Sequence, residues 1–334
     1  MKNNRTIIIA EAGVNHNGKL SLAKKLIVAA AKSGADYVKF QTFEPSQMIR
    51  PKTKMARYQK KNIKKNFSQY QMLKKYQLKK NYYEDLIQHS KKNNIKFISS
   101  PFDIESIKFL NKLKLDFIKI PSGEIDNYPY LKALGKLNKK IILSTGMSNL
   151  KEILAAIKIL TKFGTNKKKI SLLHCHSDYP SKPINLNLKS IQTLKKTFNL
   201  RVGYSDHSLG IEAAIVSVSL GAEIIEKHLT LSKKMDGPDH KASIEPKTFK
   251  DMVLAIRKTE DMLGSGLKVP TKNELINKKL VRKSLVAKVN IQKGEKFSIL
   301  NLTTKRPGTG KSPMIYESIL KTRSKKKYNK NDFI

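Results

Sequence analysis

Short apolar runs recur along the chain: "TIIIAE", "DYVKFQ", "KFISSPF", "DFIKIPS", "IILSTGM", "SLLHCHS", "RVGYSDH" and "EIIEKHL". Each has the length of a strand and is rich in Ile, Leu, Val or Phe. Near-continuous apolar runs of this kind suit strands buried on both faces. Between them lie amphipathic stretches of helical length. In "KLSLAKKLIVAAAKSG", Leu20, Ala23, Leu26, Ile27 and Ala30 share one helical face, and Gly34 marks the stop. "EILAAIKILTKFG" repeats the design and stops at Gly164. Eight such strand–helix units in about 230 to 260 residues predict an α/β fold, a closed (β/α)8 barrel of the TIM type.

The pattern ends near residue 265. "LGSGLKVPTKNE" carries Gly and Pro and is expected to be a linker over residues 266–280. The remainder, 281–334, has short strands and a "KGE" turn, as in a small β-rich second domain. Whether its Lys-rich tail "KTRSKKKYNKNDFI" completes that domain is open at this level.

Nearly every strand of the first domain runs into polar residues at its C-terminal end: Glu11; Lys39 and Gln41; Ser99 and Ser100; Lys119 and Ser122; Ser144 and Thr145; His174 and His176; Ser205 to His207; Glu226 and His228. In (β/α)8 barrels that rim carries the chemistry. One such ending means little, but eight converging on one rim make a polar pocket.

Composition adds limits. Hydrophobic residues make up 39% of the 334, enough for a packed core. No apolar run approaches the roughly 20 residues of a membrane span, and the first apolar run is too short for a secretory signal. One Cys excludes an intrachain disulfide framework and a multi-Cys zinc site. A cytoplasmic protein is the expectation. The formal charge of +41 raises nucleic-acid binding. However, the lysines are dispersed between apolar positions, with no Arg-rich block and no interleaved aromatics, so a dedicated nucleic-acid surface is not expected.

The residues resemble a known family. "IIAEAGVNHNG", "VKFQTF", "SSPFD", "IKIPSGEIDNYP", "LSTGM", "LLHCHSDYP", "GYSDHSLG", "EKHLTL" and "GPDHKAS", in that order, look like the sialic acid synthases. "KGEKFSILNLTTKRPGTGKSP" resembles that family's C-terminal antifreeze-like (SAF) domain. The resemblance implies condensation of phosphoenolpyruvate with an N-acetylmannosamine-type sugar to a nine-carbon 2-keto acid, with C–O cleavage and release of phosphate. It also implies a divalent metal, Mn²⁺ or Mg²⁺, and a domain-swapped homodimer.

His207 and His228 end adjacent strands and suit a divalent ion. A hydrogen-bonded polar rim without metal explains their spacing slightly better, and the resemblance is what assigns them to metal. Asp206 is a candidate to orient a ligand. Lys39 and Lys119 sit in apolar runs where an unpaired ammonium would be costly, so they are expected to meet the phosphate and carboxylate of phosphoenolpyruvate or to pair with Glu11 or Glu124. Ser100, Ser122, Ser144 and Ser205 could donate to the same anion. Glu11 and Glu124 are the candidates for proton chemistry. The resemblance points to Gln41, Tyr179 and Asp239 for the sugar, and to Arg306, supplied by the partner subunit, for the N-acetyl group. His16 is a candidate substrate contact, and Cys175 is expected to be a small buried side chain.

Where neuraminate-type members often carry "KHQTH", this chain has "KFQTF", and Ser177 in "HCHSDYP" replaces an Asn. The smaller Ser177 would make room for a second acetamido group, and Phe43 would suit a deoxy carbon. Those departures favour 2,4-diacetamido-2,4,6-trideoxymannose, and so N,N'-diacetyllegionaminate, over N-acetylmannosamine. A Schiff-base aldolase on the same barrel would instead use one Lys as a covalent nucleophile.

Overall fold

The computed structural model describes residues 5–63 and 67–334. The chain divides into two compact units, Met1–Gly264 and Ser265–Ile334.

The first unit is a closed parallel barrel. Its strands are β1 (Ile7–Gly13), β2 (Tyr37–Thr42), β3 (Lys96–Pro101), β4 (Ile118–Ile120), β5 (Ile141–Ser144), β6 (Ile170–Cys175), β7 (Arg201–Asp206) and β8 (Ile224–His228). They pair in sequence order, and β8 closes onto β1. Helices follow the strands and bury one apolar stripe each. Helix Leu20–Lys32 buries Ala23, Leu26, Ile27 and Ala30, the face read from the sequence. Helix Leu150–Lys162 starts at Asn149, whose side chain accepts from the backbone of Lys151 and Glu152 while Glu152 reaches back, a capping box.

The strand period of two builds the barrel interior in layers. Ile9, Tyr37, Ile98, Ile142, Leu173 and Ile224 form an apolar cluster. Two residues further along the same strands stand Glu11, Lys39, Ser100, Ser144, Cys175 and Glu226. The floor is therefore hydrocarbon and the next layer polar. Gly203 makes the closure possible at β7, because a Cβ there would lie 2.3 Å from the Ile224 carbonyl oxygen.

The long connection between β2 and β3 folds into short helices that the strand–helix pattern does not announce, including Pro45–Met48, Arg57–Asn62 and Gln69–Tyr76. They rest on a separate apolar cluster of Val14, Phe43, Ile63, Met72, Leu73 and Tyr76.

In the second unit, β9 (Ser284–Ala287) and β10 (Leu302–Lys305) form an antiparallel pair. Part of the segment expected to be a linker is helical: Lys272–Val281 begins at Thr271 with a capping box to Glu274. The Lys-rich tail completes this unit's core, since Tyr328 and Ile334 are buried with Leu285, Ile291, Phe297 and Leu302. The Ile334 N–H donates to the Leu285 carbonyl at 3.1 Å.

Candidate active site

Strand register sets the centre of the site. Glu11 on β1 pairs with Lys39 on β2 and with His228 on β8. Ser205 on β7 pairs with Glu226 on β8. Since alternate residues face inward, these partners line the polar end of the barrel around a cavity of about 420 Å³. A larger open groove of about 810 Å³ runs along helices Ile104–Lys112 and Tyr128–Gly135 and carries none of the candidate residues.

Four buried charges form the cavity floor. Lys39 Nζ lies 2.8 Å from Glu11 Oε2 and 3.6 Å from Glu226 Oε2. Lys119 Nζ lies 3.0 Å from Glu226 Oε1, which also accepts from Ser205 Oγ at 2.9 Å. The cluster is electrically balanced, so each charge is offset inside a site that water barely reaches. Burial works against the charge on Glu226, but the Lys119 and Lys39 ammoniums outweigh it and hold its carboxyl at about 2. Glu11 moves the other way. Burial pushes its pKa up against the pull of Lys39, and the Glu226 charge adds to the rise. Burial and the neighbouring Lys39 hold Lys119 below the usual amine value despite Glu226. Burial disfavours charge on Lys39 too, but its two carboxylate neighbours keep it raised.

Above this floor stand the two histidines, ring centroids 5.6 Å apart. His207 Nδ1 lies 2.6 Å from the His176 carbonyl oxygen, so that nitrogen carries the proton. Nε2 is left to accept, and it does so from the Tyr179 hydroxyl at 3.0 Å. Burial lowers His207 to about 4, and burial first, then the neighbouring His207 ring and Lys39, takes His228 well below the ordinary value. Both rings are therefore neutral near pH 7, the form that binds metal. The buried Nδ1 of His228 and Oδ1 of Asp239 have no hydrogen-bond partner. Two neutral imidazoles with an unpartnered nitrogen and carboxylate oxygen among the polar atoms fit a divalent ion that takes its other ligands from water and substrate. Among the described residues, no three His, Cys, Asp or Glu side chains gather into a complete protein cage.

A buried ion pair supports the histidines from outside the cavity. Asp206 and Lys227, each adjacent in sequence to one histidine, are register partners, and Lys227 Nζ lies 2.5 Å from Asp206 Oδ2. Asp206 Oδ1 accepts from the backbone N–H and hydroxyl of Ser208. Asp206 thus holds the backbone on either side of His207 and does not approach a ring nitrogen.

The outer wall is aromatic. Tyr179 stacks on His207 at 4.1 Å and on Tyr58 at 5.1 Å. Asp239 lines the cavity nearby, and burial with the Glu11 charge pushes its carboxyl up to about 7.

Of the residues assigned from the sequence to proton chemistry, metal, phosphoenolpyruvate or sugar, all but Glu124 and Arg306 line this cavity. Glu124 is half-buried outside it, where its carboxylate accepts from Asn127 at 2.6 Å beside the start of a helix. The partner of Lys119 is accordingly Glu226. Arg306 is exposed on the second unit. His16 is buried away from the cavity and packs against Phe40, with Nδ1 accepting from the Gly18 N–H. Phe43 lies in the apolar cluster behind the wall, whereas Ser177 does line the cavity. Cys175 lines it too, its Sγ 3.2 Å from Ser122 Oγ. Sequence reasoning noted Glu226 at a strand end but gave it no role, and it missed Tyr58 altogether. For Glu226 the signal was present: two residues before His228 on a strand, it must share that residue's face.

Residues 26–268 match the NeuB family. The chain belongs to that family. It is 53% identical over 330 residues to an N,N'-diacetyllegionaminic acid synthase of Campylobacter jejuni, covering 99% of each chain. It is 44% identical over 318 residues to a synthase of the same name from Legionella pneumophila, covering 95% of this chain and 89% of the relative. The crystal structure of an N-acetylneuraminic acid synthetase from Leptospira borgpetersenii, in complex with citrate, superposes with a TM-score of 0.72 at 35% identity, over 82% of this chain and 90% of that one.

Proposed function

We propose that this protein condenses phosphoenolpyruvate with 2,4-diacetamido-2,4,6-trideoxymannose to give N,N'-diacetyllegionaminate and phosphate. The observation that carries this reading is 53% identity, along essentially the whole chain, to a synthase of that name. The cavity supplies groups suited to each step.

Phosphoenolpyruvate enters as a polyanion. Lys39, Lys119 and the hydroxyls of Ser100, Ser122, Ser144 and Ser205 surround a volume in which a phosphate and a carboxylate could replace Glu11 and Glu226 as the lysines' partners. His207 and His228 would hold Mn²⁺ or Mg²⁺, which polarises the sugar aldehyde when bound. The C3 carbon of phosphoenolpyruvate forms a bond to the aldehyde carbon, and the aldehyde oxygen takes a proton. Asp239, raised to about 7, is suited to donate that proton or to hold a sugar hydroxyl. Water then adds to the cationic C2. Glu11, raised and buried beside Lys39, is suited to take the water's proton. The resulting hemiketal phosphate expels phosphate by breaking its C–O bond and leaves the 2-keto group.

Gln41, Tyr179 and Ser177 line the same space and are suited to the sugar. We further assign to a second copy of the chain the supply of Arg306 from its small β-rich, SAF-like unit, in a domain-swapped homodimer. The exposure of Arg306 and the "KRPG" resemblance support this assignment. A cytoplasmic location is part of the same proposal, since phosphoenolpyruvate would be met there.

The test is the ratio of kcat/KM for 2,4-diacetamido-2,4,6-trideoxymannose and N-acetylmannosamine under the same Mn²⁺ concentration. A preference of at least about tenfold for the trideoxy sugar is expected, the energy of one or two well-placed polar contacts. A preference for N-acetylmannosamine would overturn the substrate assignment.

A further inference from the structure

The "NHNG" segment after β1 brings a cluster of polar side chains that takes no part in the chemistry above. These side chains reach instead to the loop after β8, which carries Asp239. Asn15 Nδ2 donates to the Leu229 carbonyl and to Ser243 Oγ, both at 2.8 Å, at the two ends of that loop. Asn17 Nδ2 donates to the Asp236 carbonyl at 3.0 Å, near its tip. Asn17 Oδ1 lies 3.2 Å from His240 Nε2, and His240 Nδ1 lies 2.7 Å from Thr230 Oγ1. Burial holds His240 near 4, so the ring is neutral and has one N–H to give. The consistent assignment is Nε2–H to Asn17, with Nδ1 accepting from Thr230. Asn62 completes the arrangement by donating to the Pro238 carbonyl at 2.7 Å.

The carbonyls of Asp236 and Pro238 thus accept from asparagines of two other segments. Between them lies Gly237, where a Cβ would stand 2.6 Å from His240 Cδ2 and 3.0 Å from Asn17 Oδ1. The loop backbone is pressed onto the Asn17–His240 pair, leaving no space for a side chain. Asp239 follows two residues later, buried and with Oδ1 unpartnered. Asn17 itself has φ +53°, a conformation that Asn and Gly accept more readily than other residues.

We infer that Asn17 is a positioning residue for the sugar, acting through the Gly237–Asp239 loop: with His240 it forms a latch that fixes where Asp239 presents its carboxyl. The inference rests on the proposed assignment of Asp239 to the sugar. Phosphoenolpyruvate meets the lysines on β2 and β4, which the latch does not touch, so the two substrates should respond differently.

The test uses the full-length enzyme. Asn17→Gly keeps the left-handed backbone and removes both hydrogen bonds. Asn199→Gly, at φ +50° on a helix end, is the control for the backbone change. Expected for Asn17→Gly is a rise in sugar KM of about tenfold, from two lost hydrogen bonds, with the phosphoenolpyruvate KM within twofold. Amide exchange at 234–239 should quicken by at least about tenfold, with the melting temperature within a few degrees of wild type. Asn17→Asp keeps the acceptor for His240 but loses the donor to Asp236, and its sugar KM should fall between the two. Unchanged sugar KM, a parallel rise of both KM values, or unchanged exchange at 234–239 would each overturn the latch. If wild type turned over neither sugar, the proposed function would fail, and the exchange measurement would still decide whether Asn17 holds the loop.

Discussion

Lys119 and Glu226 meet at 3.0 Å in the barrel interior, from strands on different sides of the β5–β7 segment. Glu226 also lies 3.6 Å from Lys39, so one carboxylate serves two ammonium groups. In the free protein it offsets the charge that phosphoenolpyruvate would meet. Glu226→Gln should therefore lower stability by about 3–5 kcal/mol, the usual result of stripping a buried ion pair of one partner. It should also enlarge the thermal upshift produced by phosphoenolpyruvate, because the ligand would then relieve Lys119, left without its carboxylate, beside a Lys39 that keeps only Glu11. Differential scanning with and without ligand checks both. An upshift no larger than that of wild type would remove Glu226 from the anion site.

The Asp206–Lys227 pair is a second buried ion pair, but it lies behind the histidines. Lys227→Met should cost about 3–5 kcal/mol by leaving the Asp206 carboxylate buried without its cation. Adding Asp206→Asn should recover part of that loss, because the orphaned charge goes with it. Urea unfolding of the two variants measures the difference. A double variant less stable than the single would mean that the hydrogen bonds from Ser208 to Asp206 outweigh the pair.

Asp239 gives a pH signature of its own. Its folded pKa of about 7 stands above the unfolded carboxylate value, so between about pH 4 and 7 the folded state binds the proton more tightly. Stability from this group is present at low pH and is lost as pH rises toward 7. Asp239→Asn should match wild type near pH 4 and exceed it at pH 8 by up to about 4 kcal/mol, while sugar KM rises. Equal stabilities at pH 8 would show that the carboxyl is not raised.

The metal assignment rests on two side chains. His228→Ala removes one of them, a buried ring above the cavity floor, and should leave the barrel folded. Mn²⁺ affinity, read by electron paramagnetic resonance of the free ion, should fall at least about a hundredfold, and chelator-treated wild type should lose turnover and regain it with Mn²⁺. Undiminished Mn²⁺ binding by the variant would place the metal elsewhere.

The layered interior was legible in the sequence because strand geometry leaves little choice. Ile9 and Glu11, Ile98 and Ser100, or Ile142 and Ser144 differ by two positions, so an apolar floor beneath a polar layer follows from the period alone. The same rule placed His207 and His228 on the rim. Loops obey no such period. Phe43 was expected near the sugar from the "KFQTF" departure, and His16 was a candidate contact in the "NHNG" turn, yet each turns into a packed cluster where its ring is sheltered. Glu124 was a candidate for proton chemistry, with a lysine partner as the alternative, but the chain turns into a short helical segment after Pro121 and carries the carboxylate to Asn127. The wall built from residues 45–63 and 67–77 draws its structure from packing on Phe43, Met72 and Tyr76, which no local pattern shows. The helix at Lys272–Val281 did leave a signal, the Thr271–Glu274 capping box, inside a stretch whose Gly and Pro suggested only a linker.

The central claim is a carbon–carbon bond formed with C–O cleavage of phosphoenolpyruvate. It is tested most directly with phosphoenolpyruvate carrying ¹⁸O in the bridging position, incubated with Mn²⁺ and 2,4-diacetamido-2,4,6-trideoxymannose. The account predicts sugar-dependent phosphate that retains the label, together with a nine-carbon 2-keto acid that lacks it. Unlabelled phosphate, or phosphate released equally without sugar, would contradict it.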